Sequence, residues 1–253
     1  MILFFKFVIG PLLIALVTLV TRRWGAAAGG WLTGLPLTSG PISIFLAFEQ
    51  GTAFAMSSAV TSMVGGVTVA VFSLAYACGA ARFSSKALSL LLAICGYVGA
   101  VLILSYITFT VFTALFTSAV MLWLCLRLIG PDSSNAPPAM VAPWWDIPLR
   151  MSATVAVTFA ITALANIMGP GGIGILAPFP AFTGILALFI HAQGGSESLH
   201  RFLRGVITTT CGLIGFFLVV ALFLDRLSLV ATYALATLAA FGVNIVVLSV
   251  ARR

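Results

Sequence analysis

The chain has 253 residues, of which 62% are apolar and only 7% charged, with a mean hydropathy of +1.22. Soluble domains carry about a quarter of their residues as charges, so this composition excludes one and points to an integral membrane protein. Twelve Lys/Arg against five Asp/Glu leave a net charge of +7. No run exceeds two consecutive basic residues and no basic stripe is interleaved with aromatics, so the excess reads as membrane topology and no nucleic-acid partner is expected.

At roughly 20 apolar residues per helical crossing, apolar runs bounded by charge, Gly or Pro predict spans at 3–21, 25–48, 52–81, 87–104, 107–126, 150–168, 171–192, 202–224 and 227–250. The first run is followed by Arg22 and Arg23 where a cleavable signal would have small residues, so it reads as a retained helix. The apolar stretch from Ala87 to Leu126 is long enough for two spans with a tight turn near Tyr106. The segments 25–48 and 171–192 are rich in Gly and Pro and could re-enter instead of crossing.

Charge placement chooses among these counts. With nine crossings, Arg22, Arg23, Arg82, Lys86, Arg127, Arg150, Arg201, Arg204, Arg252 and Arg253 share one face, leaving Lys6 and Arg226 on the other. Merging or re-entering the ambiguous spans evens out the distribution. Cytoplasmic loops carry the Lys/Arg excess, which predicts a multi-pass protein of the cell inner membrane with its N-terminus outside and its C-terminus cytoplasmic.

Two segments resemble each other. Gly29-Gly30-Trp31-Leu32-Thr33-Gly34-Leu35-Pro36 aligns with Gly171-Gly172-Ile173-Gly174-Ile175-Leu176-Ala177-Pro178 at an offset of 142, and after one inserted residue Gln50-Gly51 aligns with Gln193-Gly194. The reading is an all-α bundle of two inverted four-helix repeats, 1–104 and 150–253, joined by a linker helix and cytoplasmic loop at 105–149. Such repeats around discontinuous helices are a recurring plan of secondary transporters.

The second helix of each repeat is expected to be broken. Pro36 and Pro41 flank Leu37-Thr38-Ser39-Gly40, and proline removes an amide donor and clashes with the preceding turn. Ser39-Gly40-Pro41 suits the start of a second half-helix. Pro178, Pro180, Thr183 and Gly184 occupy the equivalent place in the other repeat. Inverted symmetry would bring two helix N-termini to one central point, favouring an anionic group. The substrate-binding candidates are therefore Pro36, Thr38, Ser39, Gly40, Pro41, Pro178, Pro180, Thr183 and Gly184; the bland alternative is a pair of proline kinks satisfied by Thr38, Ser39 and Thr183.

Ionisable residues within the spans are scarce. Glu49 and His191, at nearly equivalent repeat positions, are the gating or coupling candidates, set against interfacial residues snorkelling to water. Asn166 and Asn244 read as helix-packing hydrogen bonds. Glu197, His200, Arg201 and Arg204 read as a solvated mixed-charge cluster, and Trp144-Trp145 beside Asp146 and Arg150 as an interfacial anchor. Asp132 to Pro138 reads as a flexible linker.

Cys78, Cys95, Cys125 and Cys211 stand singly in apolar stretches and read as packing residues, with neither metal nor redox spacing. Gly65-Gly66, Gly96 with Gly99, and Gly212 with Gly215 imply close helix approach, serving either internal packing or a homodimer. Five scattered acids and two histidines give no catalytic cluster, no metal ligand set and no nucleotide motif. The sequence therefore predicts a non-enzymatic secondary transporter or exporter of a small, anionic solute or ion, without cofactor, embedded in the lipid bilayer. A lipid or polyprenyl-phosphate translocase and a noncatalytic membrane assembly subunit are the alternatives.

Overall fold

The protein is described from a computed structural model, covering residues 10–37, 39–131, 145–160 and 180–251. All regular structure among these residues is helical: α1 Gly10–Trp24, α2 Ala26–Thr33, α3 Ser39–Glu49, α4 Thr52–Arg82, α5 Lys86–Ser105, α6 Val111–Ile129, α7 at 146–160, α8 Ala181–Phe223 and α9 Leu229–Ala251. In lipid, each backbone amide must be satisfied within its own helix, and the apolar runs obey this. Five helices, α4, α5, α6, α8 and Leu229–Ser249 of α9, are long and apolar enough to cross a membrane. The chain is a multi-pass helical membrane protein.

The turn predicted near Tyr106 separates α5 from α6, where Thr110 and Thr113 form a reciprocal capping box. Ser85 caps α5 by accepting from the Leu88 amide, 3.4 Å. Within the helices, Ser and Thr hydroxyls return to carbonyls three or four residues earlier, including Thr208, Thr209 and Thr210 in succession.

The helix α8 contains a sharp corner at Gly195, with φ 71° and ψ −173°, dividing it into arms 181–194 and 196–223. The first arm follows α4 downward, with Gly184 beside Phe72 and His191 beside Tyr76. The second arm returns, with His200 and Arg204 at the end of α6 and then Thr210 and Ile214 beside Gly66. Residues 196–201, expected as loop, are helical: one glycine in a conformation reserved for glycine turns the chain without a longer connection. Gly51 makes the corresponding corner between α3 and α4, with φ 88° and ψ 165°.

Gly195 is exposed and a Cβ there would meet nothing within 4 Å, so the cost of adding one is backbone strain alone. Gly195→Ala is expected to destabilise by about 1–3 kcal/mol, whereas Gly242→Ala, in an ordinary helical conformation with equally open space, should be neutral or stabilising. Thermal unfolding of both variants in detergent checks this; equal transitions would mean that the corner demands no glycine-only backbone.

The interior is built by α4 and α8. In each, 61% of the most apolar window is buried inside the protein, against 22–28% for α5, α6 and α9. Small residues bring the backbones together. A Cβ on Gly30 of α2 would fall on the Phe202 carbonyl of α8, and one on Gly205 would lie 2.8 Å from the Ala27 carbonyl. Gly66 packs on Thr210 and Leu213, Gly96 on Ala75, Gly212 on Asn244 and Gly215 on Val243, so these glycines serve internal packing. Gly99 has nothing within 4 Å. Asn244 is fully buried and accepts from the Gly212 amide at 3.2 Å, the packing role expected of it; Asn166 lies outside the described residues. Of the cysteines, Cys125 is buried and Cys211 half-buried, but Cys78 and Cys95 are exposed on the bundle's surface and do not pack internally.

The charges segregate. Arg22, Arg23, Arg82, Lys86, Arg127, Arg150, Arg201 and Arg204 gather at one end of the bundle, where α1, α4 and α6 finish, α5 and α7 begin, and α8 turns. Arg226 lies at the opposite end, in the turn between α8 and α9. Lys6, Arg252 and Arg253 lie outside the described residues.

Candidate functional site

The predicted break in the second span is present. The helix α2 stops at Thr33, Gly34 caps it, and α3 begins at Ser39 with the Gly40 amide donating to the Pro36 carbonyl at 2.9 Å. Pro41 is the third residue of α3, so the half-helix starts two residues before it, where a missing N–H costs little. In the other Gly/Pro-rich span, 171–192, residues 171–179 lie outside the described residues, and the start of α8 that follows them is Pro-bounded. Pro180 precedes Ala181, no side chain caps this end, and the first helical bond runs from the Gly184 amide to the Pro180 carbonyl at 2.8 Å.

Both starts border one cavity of about 710 Å³, lined by Ser39 from α3 and by Pro180, Ala181, Phe182 and Thr183 from α8. Its other walls are Thr33 to Leu35, the middle of α4 from Ser58 to Val69, and Thr210, Leu213 and Phe217 of the second arm. It extends to Ser105, Ile107 and Phe109 in the α5–α6 connection, at the end away from the arginine cluster. No Asp, Glu, Lys, Arg or His is among the described residues lining it. Its polarity comes from hydroxyls of Thr33, Ser39, Ser58, Thr61, Ser62, Thr68, Ser105, Thr183 and Thr210, and the size is that of small-molecule pockets.

The two helix starts differ in what they offer. At α3 the Gly40 amide is already bonded and Pro41 has none. At α8 the amides of Ala181, Phe182 and Thr183 precede the first helical hydrogen bond among the described residues, at the positive end of the helix dipole.

The sequence-predicted residues separate accordingly. Ser39, Pro180 and Thr183 line the large cavity. Pro36, Gly40 and Pro41 instead line a smaller apolar cleft of about 230 Å³ between α3 and α9, with Ile44, Phe216 and Phe241. Gly184 lines neither and packs toward Phe72. Thr38 and Pro178 lie outside the described residues. Glu49 is exposed at the end of α3, whereas His191 is buried against the Tyr76 ring, centroids 5.8 Å apart, near the arginine-rich end.

At that end the residues expected to form an interfacial anchor, Asp146 and Arg150, build an ionic node. Asp146 has no exposed surface and Arg150 is 1% exposed. Asp146 Oδ2 accepts from Arg22 Nη2 at 2.8 Å and Arg150 Nε at 2.9 Å, and Asp146 Oδ1 accepts from Gln193 Nε2 at 2.5 Å. Gln193 Oε1 accepts from Arg150 Nη2 at 3.0 Å, and the guanidinium lies 4.8 Å from the Phe189 ring centre. Burial pushes the Asp146 carboxyl up, but the hydrogen bonds from Arg150 and Arg22 outweigh it and hold it below the ordinary carboxylate value. The i,i+4 spacing of Asp146 and Arg150 was the one signal in the sequence; nothing local marked Arg22 or Gln193 as their partners.

The Glu197–Arg204 cluster is also more than a solvated face. Arg201 pairs with Glu197 at 3.1 Å, but His200 Nε2 meets the Ile129 carbonyl at 2.7 Å and Arg204 donates to the Gly130 carbonyl. These carbonyls end α6, and the basic groups of α8 satisfy acceptors with no partner of their own in the helix. No family model, curated protein or solved structure matches the chain.

Proposed function

We propose that the protein is a secondary transporter of a small anionic solute, working by alternating access around its two broken spans. The observation that carries this is the cavity of about 710 Å³ into which the starts of α3 and α8 both open. Freed helix ends inside a membrane protein are tolerated where they line a cavity, and a packed noncatalytic subunit has no use for one. The Ala181, Phe182 and Thr183 amides would face the solute's negative group, with Ser39 and Thr183 hydroxyls beside it.

The reading includes an inverted duplication of the chain. The 142-residue offset that aligns the Gly-Gly motifs carries Ser39, the first residue of α3, onto Ala181, the first of α8. Both half-helices then end at a glycine corner of similar backbone, Gly51 and Gly195, the latter one residue beyond Gly194, with which Gly51 aligns. They run in opposite senses, α3 away from the arginine-rich end and the first arm of α8 toward it. In this reading the chain crosses an inner membrane nine times with the arginine-rich end cytoplasmic.

The test is thermal unfolding of the purified protein in detergent against inorganic phosphate, acetate, glycerol, ethanolammonium and a short-chain phosphatidic acid. A ligand bound only to the folded state raises the transition with concentration. A saturable rise with the small anions is expected, and it should disappear in Thr183→Val while the ligand-free transition stays. A rise only with phosphatidic acid would favour the lipid translocase, for which the apolar cleft beside Pro36 and Phe241 would hold a chain; no rise with any of the five would overturn the carrier.

A further inference from the structure

The Arg22–Asp146–Arg150–Gln193 node joins three separated pieces of chain: the end of α1, the start of α7, and the first arm of α8 two residues before its corner. It sits at the opposite end of the bundle from the α5–α6 connection that borders the cavity. Along the first arm of α8, Thr183 lines the cavity, Phe189 packs on Arg150 and Gln193 bonds to Asp146, so the arm leads from cavity to node.

A buried ion pair is no better at stabilising a fold than apolar side chains of the same volume, because desolvation offsets the attraction. Here two guanidinium groups share one carboxylate, and the buried Nη1 of Arg150 has no hydrogen-bond partner among the described residues. Apolar residues would close this end more firmly. What the ionic version adds is a contact that can be exchanged for water when the end opens, since each charged group is then rehydrated. Away from the arginine cluster, a contact between the two halves of the chain among the described residues is a neutral hydrogen bond, Ser43 to Tyr233 at 2.8 Å.

Building on the transport reading, we propose that this node is the gate that closes the cavity toward the arginine-rich end, with Arg22 as its movable arm. The described conformation is the one shut at that end. Arg22 is the arm because it alone of the three charged members is partly exposed and belongs to the other half of the chain.

The experiment reads access directly. Cys78, Cys95, Cys125 and Cys211 are replaced by serine in the full-length protein, and Ala187→Cys, buried on the arm between cavity and node, is reacted in lipid vesicles with a small charged thiosulfonate added on the arginine-rich side. Ala236→Cys, buried between α8 and α9 away from the node, is the packing control. Labelling of Ala187→Cys should be slow, rise at least about tenfold with Arg22→Gln, which removes the charge, and return toward the original rate with Arg22→Lys, which restores a charged donor to Asp146. Unchanged labelling in a folded Arg22→Gln protein would overturn the gate. So would an equal rise at Ala236→Cys, because that marks general loosening. The labelling uses no solute, so a failure of the ligand panel to stabilise the protein would reject the carrier and leave this result readable on its own.

Discussion

Asp146→Ala is expected to lower the apparent Tm on the order of 10 °C. Removing the carboxylate leaves Arg150, 1% exposed, with its charge uncompensated and Arg22 close by with the same sign. Breaking a buried pair from one side costs about 3–5 kcal/mol, and about 2–4 °C accompanies each kcal/mol in a chain of this size. The double variant Asp146→Leu, Arg150→Met should recover much of the loss, because no buried charge is then stranded. If the double variant is no better than the single one, packing at this site outweighs charge.

The same carboxylate dictates a pH dependence. Its folded-state pKa lies below the ordinary value, so its contribution is fully present above the ordinary carboxylate range and is lost as pH falls through the folded value. The Tm of the native protein should therefore fall more steeply in acid than that of the Asp146→Leu, Arg150→Met double variant. Parallel acid limbs would mean that the node contributes nothing to acid lability.

The second large effect is expected at Gly30. A Cβ there would fall on the Phe202 carbonyl and lie 2.8 Å from its carbon, so the obstacle is backbone and cannot rotate away. Gly205 meets α2 in the same way from the other side. Gly30→Ala must push α2 off α8, at about 1–3 kcal/mol or more, and because Thr33 and Gly34 line the cavity, any ligand-induced stabilisation should fall as well. Gly99→Ala, with nothing within 4 Å, should leave both readouts unchanged. If Gly30→Ala keeps the native Tm and the native ligand response, the helices do not touch as described.

Composition and order along the chain determined a great deal by themselves. An apolar run must form a helix in lipid because its amides have no other partner, so α4, α5, α6 and α9 could be placed to within a few residues. Proline cannot donate an amide, and so the break before Ser39 and the helix start after Pro180 were also legible. The bias of Arg22, Arg23, Arg82, Lys86, Arg127, Arg201 and Arg204 anticipated one basic end. Tertiary structure alone decided what these elements face. It put Ser39 and Thr183, 144 residues apart in the chain, on one cavity, and Pro36 and Pro41 on another. It also turned Asp146 and Arg150 inward, Asp146 to meet Arg22, 124 residues away, and both to meet the exposed Gln193. Periodicity and punctuation report what a segment needs from its surroundings; which distant group satisfies a buried charge depends on packing that brings the partners within 3 Å, and no local pattern records it.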